Sequence, residues 1–403
     1  MQRQPMTATT ETLPAPQPAK AGPTTFALIF ALESLVRSLN STVVSLQAYE
    51  ILGSSQKVSL ISTAIAFAVL VATLFLPQLL KRMPKRYAYA IGIGLMITAS
   101  IALSTHTLVG QGTGMFMRNC GAAMMNITLA IYILEHIKRA DLTRSEPLRL
   151  SLSTFSWMIG PALGVWLYDV LGPAAPQVMA IVSATLLLAV FWHLRLHEAP
   201  VSAIAARSRA GSIHNIKHFM SQPRLRLAWL IAFGRSMFWS TFFIYSPIMI
   251  VEAGLPKTYG GLLISGSQAL LLSAYLFGRI AQVQGVRVVV ALSFLTGSIA
   301  SIAAGLAGIS HPYLASGLLL VGALAASALD GVGGIPFMRA VKPHERQRMT
   351  PVYRTYIDFS ELIPTMLFSL ALLHFGIGVV FVVMGCGLAV IGVLAWHYLP
   401  RSL

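Results

Sequence analysis

Twelve apolar stretches divide this chain, each long enough to cross a lipid bilayer as a helix. They lie at about residues 24–48, 58–80, 87–106, 109–136, 147–170, 176–197, 227–250, 259–281, 288–308, 312–338, 355–375 and 377–399. At 1.5 Å per residue, about 20 helical residues match a hydrocarbon core about 30 Å thick. Lipid offers no water to satisfy backbone amides, so only helices and closed barrels span it. A barrel needs short, turn-punctuated strands of alternating polarity, and that pattern is absent here. Of the 403 residues, 56% are hydrophobic and 10% charged, against about 25% charged in a soluble domain. The expected fold class is an all-α membrane protein with twelve transmembrane helices.

A net charge of +16 raises the question of a nucleic-acid partner, and the placement of the bases answers it. With the first helix starting in the cytoplasm, 24 of the 29 Lys and Arg fall in tails, cytoplasmic loops or adjoining helix ends. Lys57 and Lys257 alone occupy loops on the other side, and Arg37, Arg118 and Arg235 lie inside helices. This asymmetry follows the positive-inside rule and predicts cytoplasmic termini. The basic loops then serve topology and contact with anionic membrane lipids rather than nucleic acid.

Residues 1–23 are rich in Pro, Thr, Ala and Gln and read as a disordered cytoplasmic tail. The tail lacks the apolar core of a cleavable signal, so the first helix is expected to be retained. A basic linker over 199–225 separates an N-terminal six-helix bundle, 24–198, from a C-terminal one, 226–403. Within it Ile213, Ile216, Phe219 and Met220 share one possible helical face, which predicts a segment resting on the inner leaflet. Cys120 and Cys386 lie in apolar helices and read as small packed hydrophobes rather than a disulfide or a metal site.

The two halves echo each other. Arg37-Ser38 with Ser41-Thr42 is matched by Arg235-Ser236 with Ser240-Thr241, and PQLLKRMPKR (Pro77–Arg86) aligns without a gap on GRIAQVQGVR (Gly278–Arg287). An even number of helices per repeat gives both halves the same orientation, with a pseudo-twofold axis along the membrane normal.

On these features the chain resembles the major facilitator superfamily over everything after the tail. The family's loop between helices two and three reads Gly-x-Leu-Ala-Asp-Arg-x-Gly-Arg-Arg. This chain keeps Leu79, Arg82, Lys85 and Arg86 but carries Pro77, Lys81 and Pro84 where the family has Gly, Asp and Gly. The second-half copy keeps both glycines, Gly278 and Gly285, with Gln282 at the acidic position. Arg118 in RNCGAA resembles the family's Arg-x-x-x-Gly motif of helix four, its spacing shifted by one. Gly160-Pro161-Ala162-Leu163-Gly164 resembles the helix-five motif of proton-coupled antiporters, with Val165 in place of the final Gly. A proline there deletes a backbone donor and bends the helix, while the glycines admit a neighbouring helix. The resemblance implies that this bend shapes the cavity and seals it against ion leak; the plainer reading is a packing kink. Pro364, at nearly the equivalent place in helix eleven, favours the former.

The charges inside the helices carry the chemistry. Glu33 and Arg37 are four residues apart and share a face; Arg235, Asp330, Asp358 and Glu361 belong to the C-terminal half, and Arg118 to helix four. A charge at mid-bilayer is costly, so such residues are expected to face a wet cavity or one another. Four acids against three arginines leave one negative charge in excess, which protonation of one carboxyl would neutralise. The functional reading is a proton-coupling acid, with Glu33 and Glu361 as the leading pair; the alternative is static Glu33–Arg37 and Asp358–Arg354 pairs. Asn119, Asn126, Trp157, Trp239 and Tyr356 are weaker cavity candidates, for which packing is the commoner role.

The expectation from residues and resemblance together is a secondary transporter of the inner membrane, expected to be a monomer. It would export a small organic molecule against protons by alternating access, with no metal and no cofactor. Proton-coupled uptake, a membrane sensor or scaffold, and a membrane-embedded enzyme are the alternatives. No GxxxxGK[ST], HExxH or nucleophile-elbow motif is present to supply ATP-driven or hydrolytic chemistry.

Overall fold

The computed structural model describes residues 23–80, 83–136, 139–194, 212–342 and 345–400. Arg82, the tail through residue 22 and the linker over 195–211 lie outside the described residues. Among those described the secondary structure is helical and no strand occurs.

Helices fill all twelve apolar stretches. In the first half they are α1 (Pro23–Leu39) with α2 (Val43–Leu52), α3 (Ser55–Leu80), α4 (Lys85–Ser104), α5 (Leu108–His136), α6 (Arg139–Leu171) and α7 (Ala174–His193). A short helix, α8 (Ser212–Ser221), follows. The second half holds α9 (Pro223–Glu252), α10 (Lys257–Ala269) continued through a 3-10 turn into α11 (Ala274–Gln284), and α12 (Val286–Ala307). It ends with α13 (Pro312–Val332), α14 (Ile335–Ala340), α15 (Arg346–Arg354), α16 (Tyr356–Ala371) and α17 (Gly378–Tyr398). Among the described residues, nine helical spans are long and apolar enough to cross a membrane by length and composition. Large apolar side chains such as Phe67, Leu74, Leu186 and Leu306 are exposed on the outside, as lipid-facing positions require.

Hydropathy alone misses several breaks. The first span is interrupted at Asn40-Ser41-Thr42, where Ser41 donates through both its backbone N–H and its hydroxyl to the Ser38 carbonyl, at 3.1 and 2.7 Å. Short polar side chains of this kind compete with the helical ladder. Asn40 also donates to the buried Gln177 Oε1 on α7 at 3.0 Å. By contrast, α6 runs through Gly160-Pro161 as one continuous helix.

Each half has its own core. Phe26, Ile29, Tyr89, Met125, Tyr132 and Phe191 pack within the first, and a larger cluster around Phe238, Phe242, Phe294, Leu319 and Phe381 fills the second. The same polar stitch recurs in both. Ser38 on α1 donates to the Ser156 carbonyl on α6 at 2.9 Å, and Ser240 on α9 donates to the Ser360 carbonyl on α16 at 3.0 Å. These are the first and fifth spans of each half, joined in both cases by a first-span serine hydroxyl and a fifth-span backbone carbonyl.

Helix α8 docks against the second half. Phe219 is buried with Leu225, Phe337 and Met349, while Ile216 and Met220 stay exposed. The apolar face expected to meet lipid is thus divided between protein and surface.

The halves meet toward the end opposite the chain termini, here called the distal end. Ser59 near the start of α3 contacts Tyr245 Oη on α9 at 2.6 Å and donates to the Thr365 carbonyl on α16 at 2.9 Å. The Ala162 N–H on α6 donates to Ser265 Oγ on α10 at 3.0 Å. Val251 of α9 packs on Val43, Leu46, Val165 and Tyr168.

Candidate proton and substrate site

In the first half the site is built on α1, α4 and α5. Glu33 is fully buried; its Oε2 accepts from Tyr89 Oη at 3.1 Å and its Oε1 lies 3.7 Å from Arg37. The four-residue spacing that places Glu33 and Arg37 on one face thus produces a helical ion pair. Arg37 also donates to Asn126 Oδ1 at 3.4 Å, and Arg118 donates to the Arg37 carbonyl at 3.1 Å. Glu33 therefore turns toward α4 inside its own half, while Arg37, 27% exposed, stands between it and the space beyond.

In the second half α9, α13 and α16 converge. Asp330 accepts from Arg235 and, at 2.8 Å, from Trp239 Nε1; Arg235 donates in turn to Tyr356 Oη at 3.0 Å. This knot neutralises its own charge and satisfies both carboxylate oxygens, which a buried ion pair must do to persist.

Two groups remain unmatched. Glu361 feels Asp358, three residues before it on α16, and, from across the halves, Arg118 and Arg37, yet makes no direct ion pair among the described residues. Arg118 likewise touches no carboxylate among the described residues, where its Nε is buried without a hydrogen-bond partner. Asp358 lies in the field of Arg354 without direct contact. Arg37, Arg118, Trp157, Trp239 and Glu361 remain partly exposed although each lies within a helix that fills an apolar stretch, and Tyr356, partly exposed as well, opens α16. The hydrogen bonds of Arg37, Arg118, Trp239 and Tyr356 go to protein groups, as polar side chains inside a bilayer require. The Trp157–Phe243 edge contact, 5.5 Å between centroids, joins α6 of the first half to α9 of the second.

Several of these partners are side chains whose types suggest packing. Asn126, Trp239 and Tyr356 take up the hydrogen bonds of the arginines and of Asp330, roles that nothing in their own sequence neighbourhoods announces. Among the described residues no group of three or more His, Cys, Asp or Glu is disposed to hold a metal. Cys120 and Cys386 are free thiols, and Cys386 is exposed on α17 rather than packed.

The motif residues serve contacts between helices. Gly160 and Gly164 let α1 lie directly on α6. Gly285 caps α12 at φ 89°, and Gly278 has open space around it.

A fold of paired six-helix halves with charged residues buried between them defines a membrane transporter rather than an enzyme. The model of the Major Facilitator Superfamily matches residues 26–281, and the chain belongs to that family. No curated protein matches it by sequence. Among solved structures it is similar to a POT family transporter in complex with 5-aminolevulinic acid, with 13% identity, TM-score 0.71, and 93% of this chain and 96% of that one covered. It is also similar to a bacterial homologue of the iron transporter ferroportin in the inward-facing state, at 13% identity and TM-score 0.71, covering 93% and 98% of the two chains. The nucleoside transporter NupG aligns at 13% identity and TM-score 0.66, over 93% and 98%. At these identities the likeness is one of fold.

Proposed function

We propose that this chain is a proton-coupled secondary transporter that exports a small organic molecule across the inner membrane, with both termini and the central linker in the cytoplasm. The observation that carries the reading is the position of Glu361. It is a carboxyl on one half, held in the field of Arg37 and Arg118 on the other, with no direct ion pair among the described residues. A group in that position changes its electrostatic surroundings whenever the halves rock, and a carboxyl whose surroundings change releases or takes up a proton. Glu33, locked against Tyr89 and Arg37, fits a supporting role, and Asp330 with Arg235 holds the second half together. The distal contacts between the halves support a state in which the central space faces the side of the termini.

A thermal-shift screen of the purified protein against a broad small-molecule panel would supply a transported ligand. With it, Glu361→Gln in proteoliposomes under an imposed pH gradient should lose concentrative transport and keep exchange without a gradient. Concentrative transport at the wild-type rate by both Glu361→Gln and Glu33→Gln would refute the assignment and turn attention to Asp330 and Asp358.

A further inference from the structure

At the distal end a second cluster of ionisable side chains bridges the halves, well away from the central charges. Glu50, in the last turn of α2, accepts from Tyr168 Oη on α6 and pairs through its other oxygen with Lys257 at the start of α10. His106, in the turn between α4 and α5, has its Nε2 3.2 Å from Tyr168 Oη and 3.6 Å from Glu50 Oε2. The Lys257 ammonium also stands 5.1 Å from the centre of the Tyr168 ring. Three of these residues belong to the first half and Lys257 to the second, so one carboxylate holds the halves together while three groups compete for it.

The backbone at His106 adds an independent observation. Its φ is 51°, making it the non-glycine residue with positive φ among those described. Its N–H closes the end of α4 on the Leu103 carbonyl at 3.2 Å. Glycine or asparagine usually takes this helix-ending position, because other side chains are strained there. A histidine that accepts the strain has its imidazole delivered to the Glu50–Tyr168 pair.

We propose that Glu50, His106, Tyr168 and Lys257 form a second proton site, whose occupation loosens the distal closure between the two halves. The sign follows from the charges. With His106 neutral, Glu50 and Lys257 balance across the seam. A proton on His106 places a second cation beside the carboxylate, where it competes with Lys257 and repels it. A proton on Glu50 removes the ion pair altogether. The open arrangement, with Lys257 withdrawn, therefore binds the proton more readily than the closed one, and by linkage acid favours opening. Histidine is the side chain that changes charge between about pH 5 and 8, and His106, Glu50 and Lys257 are 37%, 26% and 32% exposed, so water reaches the site. The other charged or titratable groups described near this end are Glu252 on α9, which faces Tyr49 and Ser55, the exposed Lys57 and Asp169, and His311 and His374 in the turns of the second half. None of these sits between Glu50 and Lys257.

The test reads distance and needs no transported ligand, so its outcome is independent of the transport reading. Spin labels at Lys57→Cys on α3 and Ser310→Cys between α12 and α13, in a Cys120→Ser, Cys386→Ser background, span the distal end. Electron–electron distance distributions are taken in lipid nanodiscs at about pH 7.5 and about pH 5.5, on either side of neutral histidine behaviour. Acid should raise the ratio of long to short distances about fivefold, the scale of one exposed charge contact. His106→Asn, which keeps the left-handed backbone, should abolish that response, and Lys257→Gln should raise the long-distance population at both pH values. A wild-type distribution unmoved by acid, an undiminished response in His106→Asn, or a Lys257→Gln distribution matching closed wild type would each overturn the proposal.

Discussion

A Cβ placed on Gly164 would stand 1.9 Å from the carbonyl oxygen of Leu39, the last residue of α1. Backbone cannot move aside as a flexible side chain can, so α1 and α6 must separate to admit even one methyl group. Gly164→Ala should cost at least the 1–3 kcal/mol typical of overpacking, about, read as a lower melting temperature and reduced folded yield in detergent. Gly278→Ala is the matched control: its added Cβ meets nothing within 4 Å, and the change should stay within about 0.5 kcal/mol of wild type.

Pro84 and Gly285 occupy equivalent places in the two halves, each capping the helix that follows, yet their backbones differ. Pro84 has φ −60° and Gly285 φ 89° with ψ 145°. A proline ring fixes φ near about −65°, and the region Gly285 occupies is closed to residues with a Cβ at a strain of about 1–3 kcal/mol. Gly285→Ala should therefore lower the melting temperature and Gly285→Pro should prevent folding, whereas Pro84→Gly should only loosen its loop. Comparable thermal unfolding curves for all three variants would contradict this account.

Asp330→Asn should destabilise the second half by about 3 kcal/mol, the lower end for a broken buried pair. Arg235 and Asp330 each keep about a quarter of their side-chain surface exposed, and water offsets part of the loss. Trp239→Phe removes one hydrogen bond to the same carboxylate and should cost about 1 kcal/mol. Thermal unfolding of the single variants and of Arg235→Gln with Asp330→Asn would reveal the coupling, with the double variant less unstable than the sum.

Tyr245 and Ser59 share the 2.6 Å contact at the distal seam. The serine's single proton goes to the Thr365 carbonyl, so Tyr245 is the donor to Ser59. Tyr245→Phe should weaken closure by about 1 kcal/mol without affecting either half's core. The label pair at Lys57 and Ser310 should then show more of the long distance at every pH.

What the sequence conveyed divides along physical lines. Spanning helices are long-range averages of hydropathy, and among the described residues each of the twelve stretches contains helix, nine of the spans being long and apolar enough to cross a membrane. Glu33 and Arg37 were legible as a pair because four residues make one helical turn. The bond from Arg235 to Asp330 joins residues 95 apart in the chain, and no local pattern announces it. The distal cluster was missed for the same reason, although a trace was present: Lys257 is one of only two bases in the loops on that side, and His106 follows directly on the end of α4. The helix-five motif was legible as a glycine–proline break in an apolar run, whereas the partners of its glycines, Ser38 and Leu39 on α1, lie more than 120 residues away in the chain and no local pattern announces them.

Both sides of α6 carry a close glycine contact, but only the α10 side adds an exchangeable backbone hydrogen bond. Toward α1, Gly160 seats the Ser38 side chain and Gly164 lies against the Leu39 backbone, leaving no lateral play, so the two helices move as one piece. Toward α10, the Ala162 N–H meets a serine hydroxyl, a bond that can be surrendered to water and remade after a shift of a helical turn. This one helix is thus keyed to α1 through its own glycines and seated on α10 through the other helix's Gly261, whose Cα faces Pro161 and Ala162, with an exchangeable hydrogen bond beside that contact. Tightening the α10 side, by a larger residue at Ser265 for example, would lock the transporter without touching any charge in its centre.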